Sequence, residues 1–212
     1  MKYLFKIIGI PGCGKSTIIR KLQKEYDNIK ISKEQLYTPR DLTELQSNPM
    51  QNATPFQEKM MGKWLQINRE EEKENSKDNE ILLEHTPVEM IEFFTAAYKL
   101  AGYITDYGFD CIRNKYDYYA RKPNDCGYIY ILCPPEVAIK NMKLRDREGE
   151  GSITPAVLDT INHFILMHHD NNVVGDAHNK LKRKTILLRY RENDYQTNAL
   201  HYFIESYIAN ML

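Results

Sequence analysis

The stretch Gly9-Ile10-Pro11-Gly12-Cys13-Gly14-Lys15-Ser16-Thr17 constrains this chain more than any other, because it fits the phosphate-loop pattern G-x-x-x-x-G-K-[ST] at every position. The β-branched and aromatic run Tyr3 to Ile8 predicts a strand before it, and Ile18, Ile19 and Leu22 recur at helical spacing after it. Strand, loop and helix in that order are the context the motif needs. Gly9, Gly12 and Gly14 let the backbone turn its N–H groups inward, together with those of Cys13 and Thr17, at the positive end of a helix. Lys15 is then placed to reach the outer phosphates, and the Ser16 hydroxyl to ligate Mg²⁺. The expected ligand is a nucleoside triphosphate.

A chain of 212 residues suits one domain, 1–212, with a sizeable core. Lys plus Arg and Asp plus Glu both count 29, so no basic excess exists to hold a long nucleic-acid backbone, and a small-molecule partner is expected. The cysteines Cys13, Cys111, Cys126 and Cys133 lack metal-type spacing and read as reduced thiols. The first strand leads directly into the loop, which leaves no signal peptide, and no apolar run approaches membrane-spanning length. The expected location is intracellular and cytoplasmic, with no membrane partner.

Along the chain, Asn28 to Ser32 read as a second strand, followed closely by Glu34. In open parallel sheets the ligand sits beyond the carboxyl ends of the strands, so Glu34 is a candidate general base; the alternative is a solvated helix-start glutamate. Thr54 to Asn68 predict an amphipathic helix with Thr54 as N-cap and Pro55 at its first position. Arg69 to Glu80 read as a solvated helix end and loop. Ile81 to Leu83 form a third strand, with Glu84 beyond it as a candidate Mg²⁺ ligand beside Ser16, or else a cap for a helix begun by Pro87. That helix, with Met90, Ile91, Phe93, Phe94 and Ala97, should be largely buried, and Gly102 to Tyr119 read as helical. Gly127 to Cys133 and Lys184 to Leu188 supply the fourth and fifth strands, and Ala199 to Leu212 a closing helix. Arg145, Arg147, Glu148, Gly149 and Glu150, followed by Gly151-Ser152, read as a mobile lid over about 145–153 whose arginines neutralise phosphoryl charge; an exposed charged turn is the alternative. Strands alternating with helices give an α/β fold of three layers with about five parallel strands.

The ordered series resembles the deoxynucleoside kinases, closest in pattern to the thymidine kinases of the herpesviral type. It comprises the N-terminal phosphate loop, the acid after strand two, Phe56-Gln57 in a helix, Glu84-His85-Thr86-Pro87 after strand three, and Arg145-Asp146-Arg147-Glu148-Gly149-Glu150 in the lid. The resemblance implies a phosphate-loop kinase fold, with ATP and Mg²⁺ as cofactors and a homodimer as the assembly. It implies Glu34 as base for the 5′-hydroxyl, Gln57 on the base edge, Phe94 stacked on the base, Glu150 on the sugar 3′-hydroxyl, and Arg145 and Arg147 on phosphates. Asn193, Asp194 and Tyr195 resemble the family's adenine-side loop, which would add Asp194 to the ATP site.

Two departures stand out. The family pairs the acid after strand three with an arginine, where this chain has His85, and a histidine there would make activity sensitive to pH near neutrality. The family's tyrosine toward the 3′-hydroxyl has no counterpart near Gln46. Relatives accepting deoxycytidine and purines carry an arginine and an aspartate where this chain has Trp64 and Met90, so the resemblance points to a pyrimidine such as thymidine. A nucleoside monophosphate kinase of thymidylate type and a non-catalytic ATP-binding switch are the alternatives.

Overall fold

A strand covered on both faces has no polar face to spare, and β1 (Leu4–Gly9) carries Phe5, Ile7 and Ile8, each no more than 1% exposed. The exception, Lys6, is also buried and lies over the Tyr128 ring, 5.6 Å from its centroid, so its ammonium meets a π face. The computed structural model describes residues 4–26, 29–31, 37–74, 80–83, 89–119, 127–145, 153–178, 185–190 and 197–209. Within them β1 pairs with β3 (Glu80–Leu83) on one side and β4 (Gly127–Leu132) on the other. Outside these lie β2 (Ile29–Ile31) and β5 (Thr185–Arg189), giving a five-stranded, all-parallel sheet in the order β2-β3-β1-β4-β5.

Parallel neighbours need crossovers, and helices supply them. The chain runs through α1 (Lys15–Glu25), α2 (Pro39–Ser47), α3 (Pro49–Glu74), a π-helical segment (Glu89–Thr95) continuing into α4 (Ala96–Leu100), α5 (Asp106–Tyr119), α6 (Pro135–Arg145), α7 (Pro155–His178) and α8 (Thr197–Ala209). Ile18, Ile19 and Leu22 of α1, Met142 of α6, Leu158, Ile161 and Ile165 of α7, and Leu200 and Ile204 of α8 bury against the sheet. Each fully buried aliphatic side chain contributes about 1.5–3 kcal/mol. A second cluster, with Leu45, Met60, Met61, Ile91, Ile104 and Ile112, joins α2, α3, the π-helical segment and α5. The result is the expected three-layer α/β architecture. The chain turns back at β1, first to β2 and β3 and then to β4 and β5, so the ligand crevice falls at the carboxyl end of β1.

The helix predicted over Thr54 to Asn68, α3 in the structure, begins earlier than its composition suggested. Thr54 is not its N-cap: Asn48 takes that place, its carbonyl accepting from Asn52 N–H at 2.9 Å and its Oδ1 from Gln51 N–H at 3.3 Å. Pro55 therefore lies inside the helix, where the missing N–H costs one hydrogen bond near its first turns. Helix α2 was not anticipated, although Thr38-Pro39-Arg40-Asp41 is a capping box with proline at the first helical position. Thr38 N–H donates to Asp41 Oδ2 at 2.8 Å, and Asp41 N–H to Thr38 Oγ1 at 3.3 Å.

Asp41 also ties α2 to α3, because Lys59 Nζ donates to its Oδ1 and Lys63 Nζ to its Oδ2 at 3.3 Å. Burial alone would raise the carboxyl pKa, but the bonds from Lys59, Thr38 and Lys63 outweigh it and hold the pKa far below the usual carboxylate range. A depressed folded-state pKa contributes stability that is complete above the unfolded value of about 3.9 and lost as pH falls toward the folded one. Asp41→Asn should cost about 1–2 kcal/mol at neutral pH, the exposed Lys59 being partly screened. The gap between its melting temperature and that of the wild type should close below about pH 4. A gap independent of pH would exclude the carboxylate as its source.

Candidate active site

The phosphate loop begins where β1 ends, with Gly9 level with Ile131 of β4. Gly12 (φ 77°) and Gly14 (φ 93°) both adopt the left-handed conformation, and Gly14 is the N-cap residue of α1. The Gly14 carbonyl accepts from Thr17 N–H at 3.0 Å and Ile18 N–H at 3.1 Å, which starts the helix at once. The loop closes on itself through Cys13 N–H to Ile10 O at 3.2 Å. Lys15 is buried and its Nζ donates to Gly9 O at 2.7 Å and Ile10 O at 3.2 Å, so its charge lies across the loop mouth. Ser16 stands beside it in the first turn of α1, half-buried, and Thr17 is exposed.

Cys13 within the loop and Cys133 just past β4 are both buried and outside any disulfide. Burial pushes the Cys133 thiol up to about 12, with Cys13 and Glu136 adding to the shift and the Lys15 ammonium opposing it. Cys133 therefore stays neutral and packs as a small apolar group. Cys111 is likewise outside any disulfide, and Cys126 is not among the described residues. Asn162 of α7 donates through Nδ2 to Cys133 O at 2.8 Å, which pins the chain just past β4.

Gln57 of α3 meets the π-helical segment. Gln57 is 3% exposed and its Oε1 accepts from Thr95 Oγ1 at 3.3 Å. Phe94, next to Thr95, is half-buried against the sheet cluster, while Phe93 packs edge-on to His168 of α7 with centroids 5.5 Å apart. The His168 Nδ1 shares a 2.8 Å hydrogen bond with Tyr130 OH of β4, which anchors α7 and this segment to the sheet. π-helical turns concentrate at functional sites because the wider turn re-aims side chains. Trp64 lies about two turns along α3 from Gln57 and packs against the second cluster, whereas Phe94 packs against the sheet cluster. Met90 belongs to the π-helical segment. No motif or spacing points to that π-helical turn, to Thr95 or to Asn162.

Arg145 is the exposed last residue of α6. Glu34, Glu84, His85, Arg147, Glu150 and Asp194 lie outside the described residues, as does most of the predicted lid, 146–152. Glu84 directly follows Leu83, the last residue of β3, which is level with Lys6 of β1.

The sequence matches the family model for deoxynucleoside kinases over residues 5–198. The chain belongs to the deoxynucleoside kinase family. The enzyme is accordingly a phosphotransferase acting on a nucleoside. A search of curated protein sequences gives no match. Among solved structures, a deoxyadenosine kinase from M. mycoides with the products dCMP and a flexible dCDP bound is 20% identical, covering 97% of this chain and 100% of that one, with a TM-score of 0.77. The deoxyadenosine kinase from the same organism with dCTP bound is 18% identical over 97% and 100%, TM-score 0.76, and with dATP bound 18% over 96% and 98%, TM-score 0.74. These likenesses show that the kinase shares their fold. The narrower likeness to viral thymidine kinases rests on the lid sequence, of which only Arg145 is described. Among the described residues no helix is long and apolar enough to cross a membrane.

Proposed function

We propose that the enzyme transfers the γ-phosphate of ATP to the 5′-hydroxyl of a deoxynucleoside, with thymidine as the preferred acceptor. The observation that carries the nucleoside reading is the buried Gln57 amide, whose Oε1 is engaged by Thr95. A side-chain amide fixed in this way offers a donor and a remaining lone pair side by side, which fits thymine O4 and N3–H as it fits adenine N1 and N6–H, so the choice of thymine rests on the family positions of Trp64 and Met90. Phe94 supplies a stacking face on the next segment, and by the family resemblance Trp64 and Met90 stand at the positions where relatives that read an amino-bearing base carry charge.

In this reading Glu34 accepts the 5′-hydroxyl proton as the oxygen attacks the γ-phosphorus and the bond to the β–γ bridging oxygen breaks. Lys15 holds the β- and γ-phosphate oxygens, and Arg145 and Arg147 offset charge on the group in transfer. Glu150 holds the 3′-hydroxyl, Asp194 lies on the adenine side, and His85 stands where the family has arginine. The loop's left-handed glycines and the Ser16 hydroxyl at a helix start are a donor set that suits a Mg²⁺-bound triphosphate, with Ser16 and Glu84 as the ligands. Mg²⁺ would neutralise charge on the β- and γ-oxygens. A homodimer is part of the same proposal and is read by sedimentation.

The deciding experiment follows labelled phosphate from ATP to thymidine, deoxycytidine, deoxyadenosine, deoxyguanosine and thymidine monophosphate, with Glu34→Gln beside the wild type. Thymidine should be the best acceptor, and Glu34→Gln should lose about 10²–10⁴-fold in kcat while still binding ATP. Preference for deoxyadenosine, the nucleoside in the name of the M. mycoides enzyme, would overturn the pyrimidine assignment. Transfer to the monophosphate alone would make the enzyme a nucleotide kinase.

A further inference from the structure

Helix α6 meets the phosphate loop at two places one turn apart. The Ala138 carbonyl faces Gly12 so closely that a Cβ on that glycine would lie 2.3 Å from it. Asn141 Nδ2 donates to Gly12 O at 2.9 Å, a bond between residues 129 positions apart. A carbonyl can only accept, so the Asn141 amide must turn its nitrogen toward the loop.

The geometry points to Asn141 as a positioning residue for phosphoryl transfer, which fixes the Gly12–Cys13 peptide of the phosphate loop from the helix that ends in Arg145. This rests on the phosphate-loop reading of residues 9–17. Both ends of that peptide plane are held: Asn141 takes the Gly12 carbonyl, and the Cys13 N–H donates to Ile10 O at 3.2 Å. A rotation of the plane would swing the carbonyl oxygen, with its partial negative charge, toward the phosphates that the loop attracts. Asn141 opposes that rotation. The same bond sets the distance between the loop and Arg145, one turn further along α6, so the arginine and the phosphate cradle keep a common frame. Neither the phosphate-loop pattern nor the lid sequence points to Asn141.

The test is steady-state kinetics of the full chain carrying Asn141→Asp or Asn141→Ala, with ATP and nucleoside varied separately and thermal melts alongside. Asn141→Asp keeps the shape but turns a carboxylate oxygen on the Gly12 carbonyl. It should lower kcat/KM for ATP by about 10- to 100-fold, as misplacement of catalytic groups does, with the nucleoside KM within about twofold of wild type. Asn141→Ala should shift the same parameter in the same direction by less, and it separates lost positioning from added negative charge. Unchanged ATP kinetics in both variants would overturn the inference, and so would equal losses for ATP and nucleoside tracking a lowered melting temperature. Lys15→Met in the same assay separates the two levels. If it is inactive while both Asn141 variants are normal, only Asn141's role fails; if it is fully active, the phosphate-loop reading fails and Asn141's role with it.

Discussion

Lys15→Met is expected to abolish useful turnover while leaving the fold intact, with kcat reduced by at least about 10²–10³-fold, the usual cost of removing a fixed donor from developing charge. Lys15 is 6% exposed and its ammonium is held by Gly9 O at 2.7 Å and Ile10 O at 3.2 Å, so the loop itself fixes the position of the charge. Carbonyl dipoles solvate it only partly, and the oxygens of a triphosphate are better partners. Lys15→Met keeps nearly the same length and volume, so the slot stays filled. The loss of two hydrogen bonds, about 1 kcal/mol each, is partly offset because an ammonium no longer needs burying. The melting temperature should therefore move by only a few degrees. Lys15→Arg should also lose most activity, since a planar fork cannot take the place of a compact charge between two carbonyls. Melting curves, fluorescent-nucleotide binding and phosphate transfer check this together. A Lys15→Met enzyme with more than about a tenth of wild-type turnover would contradict the electrostatic role assigned to that charge.

The sheet was legible because its strands are short, rich in β-branched and aromatic residues and bounded by turn residues. β4 was expected over Gly127 to Cys133 and runs Gly127–Leu132; β5 was expected over Lys184 to Leu188 and runs Thr185–Arg189. The helical region over α2 to α4 was harder to read. Proline at 55 looked like a first helical position, but Asn48 had already capped the helix, and local preference cannot tell which of two competing starts tertiary packing selects. The π-helical segment has no spacing signature, because its wider turn is settled by packing between α3 and α7 rather than by local preference. The phosphate loop could be recognised because one backbone conformation serves every phosphate, whereas the contacts that steady it come from far along the chain. Asn141 and Gly12, like Gln57 and Thr95, become neighbours only after the crossovers are made.

Gly12→Ala tests that dependence directly and should be the most destabilising single-carbon change in the loop. The added Cβ would sit 2.3 Å from Ala138 O, 2.9 Å from Met142 Cγ and 3.0 Å from the Ala138 carbonyl carbon. Met142 can give way, but a carbonyl within α6 cannot without breaking the helix. The residue must also keep φ near 77°, a conformation that costs a non-glycine residue about 1–2 kcal/mol. Together these predict a loss of about 3 kcal/mol or more, or a fall of roughly 6–12 °C in melting temperature for a domain of this size. The structure can avoid the overlap only by moving the loop, which weakens ATP binding, or by moving α6, which shifts Arg145. Either way turnover should fall along with stability. Gly62→Ala is the matched control: nothing lies within 4 Å of its added Cβ, and its place inside α3 favours alanine by about 0.5–1 kcal/mol. The two substitutions add the same methyl group and should shift the melting temperature in opposite directions. If Gly12→Ala melts and turns over like the wild type, α6 does not constrain the phosphate loop.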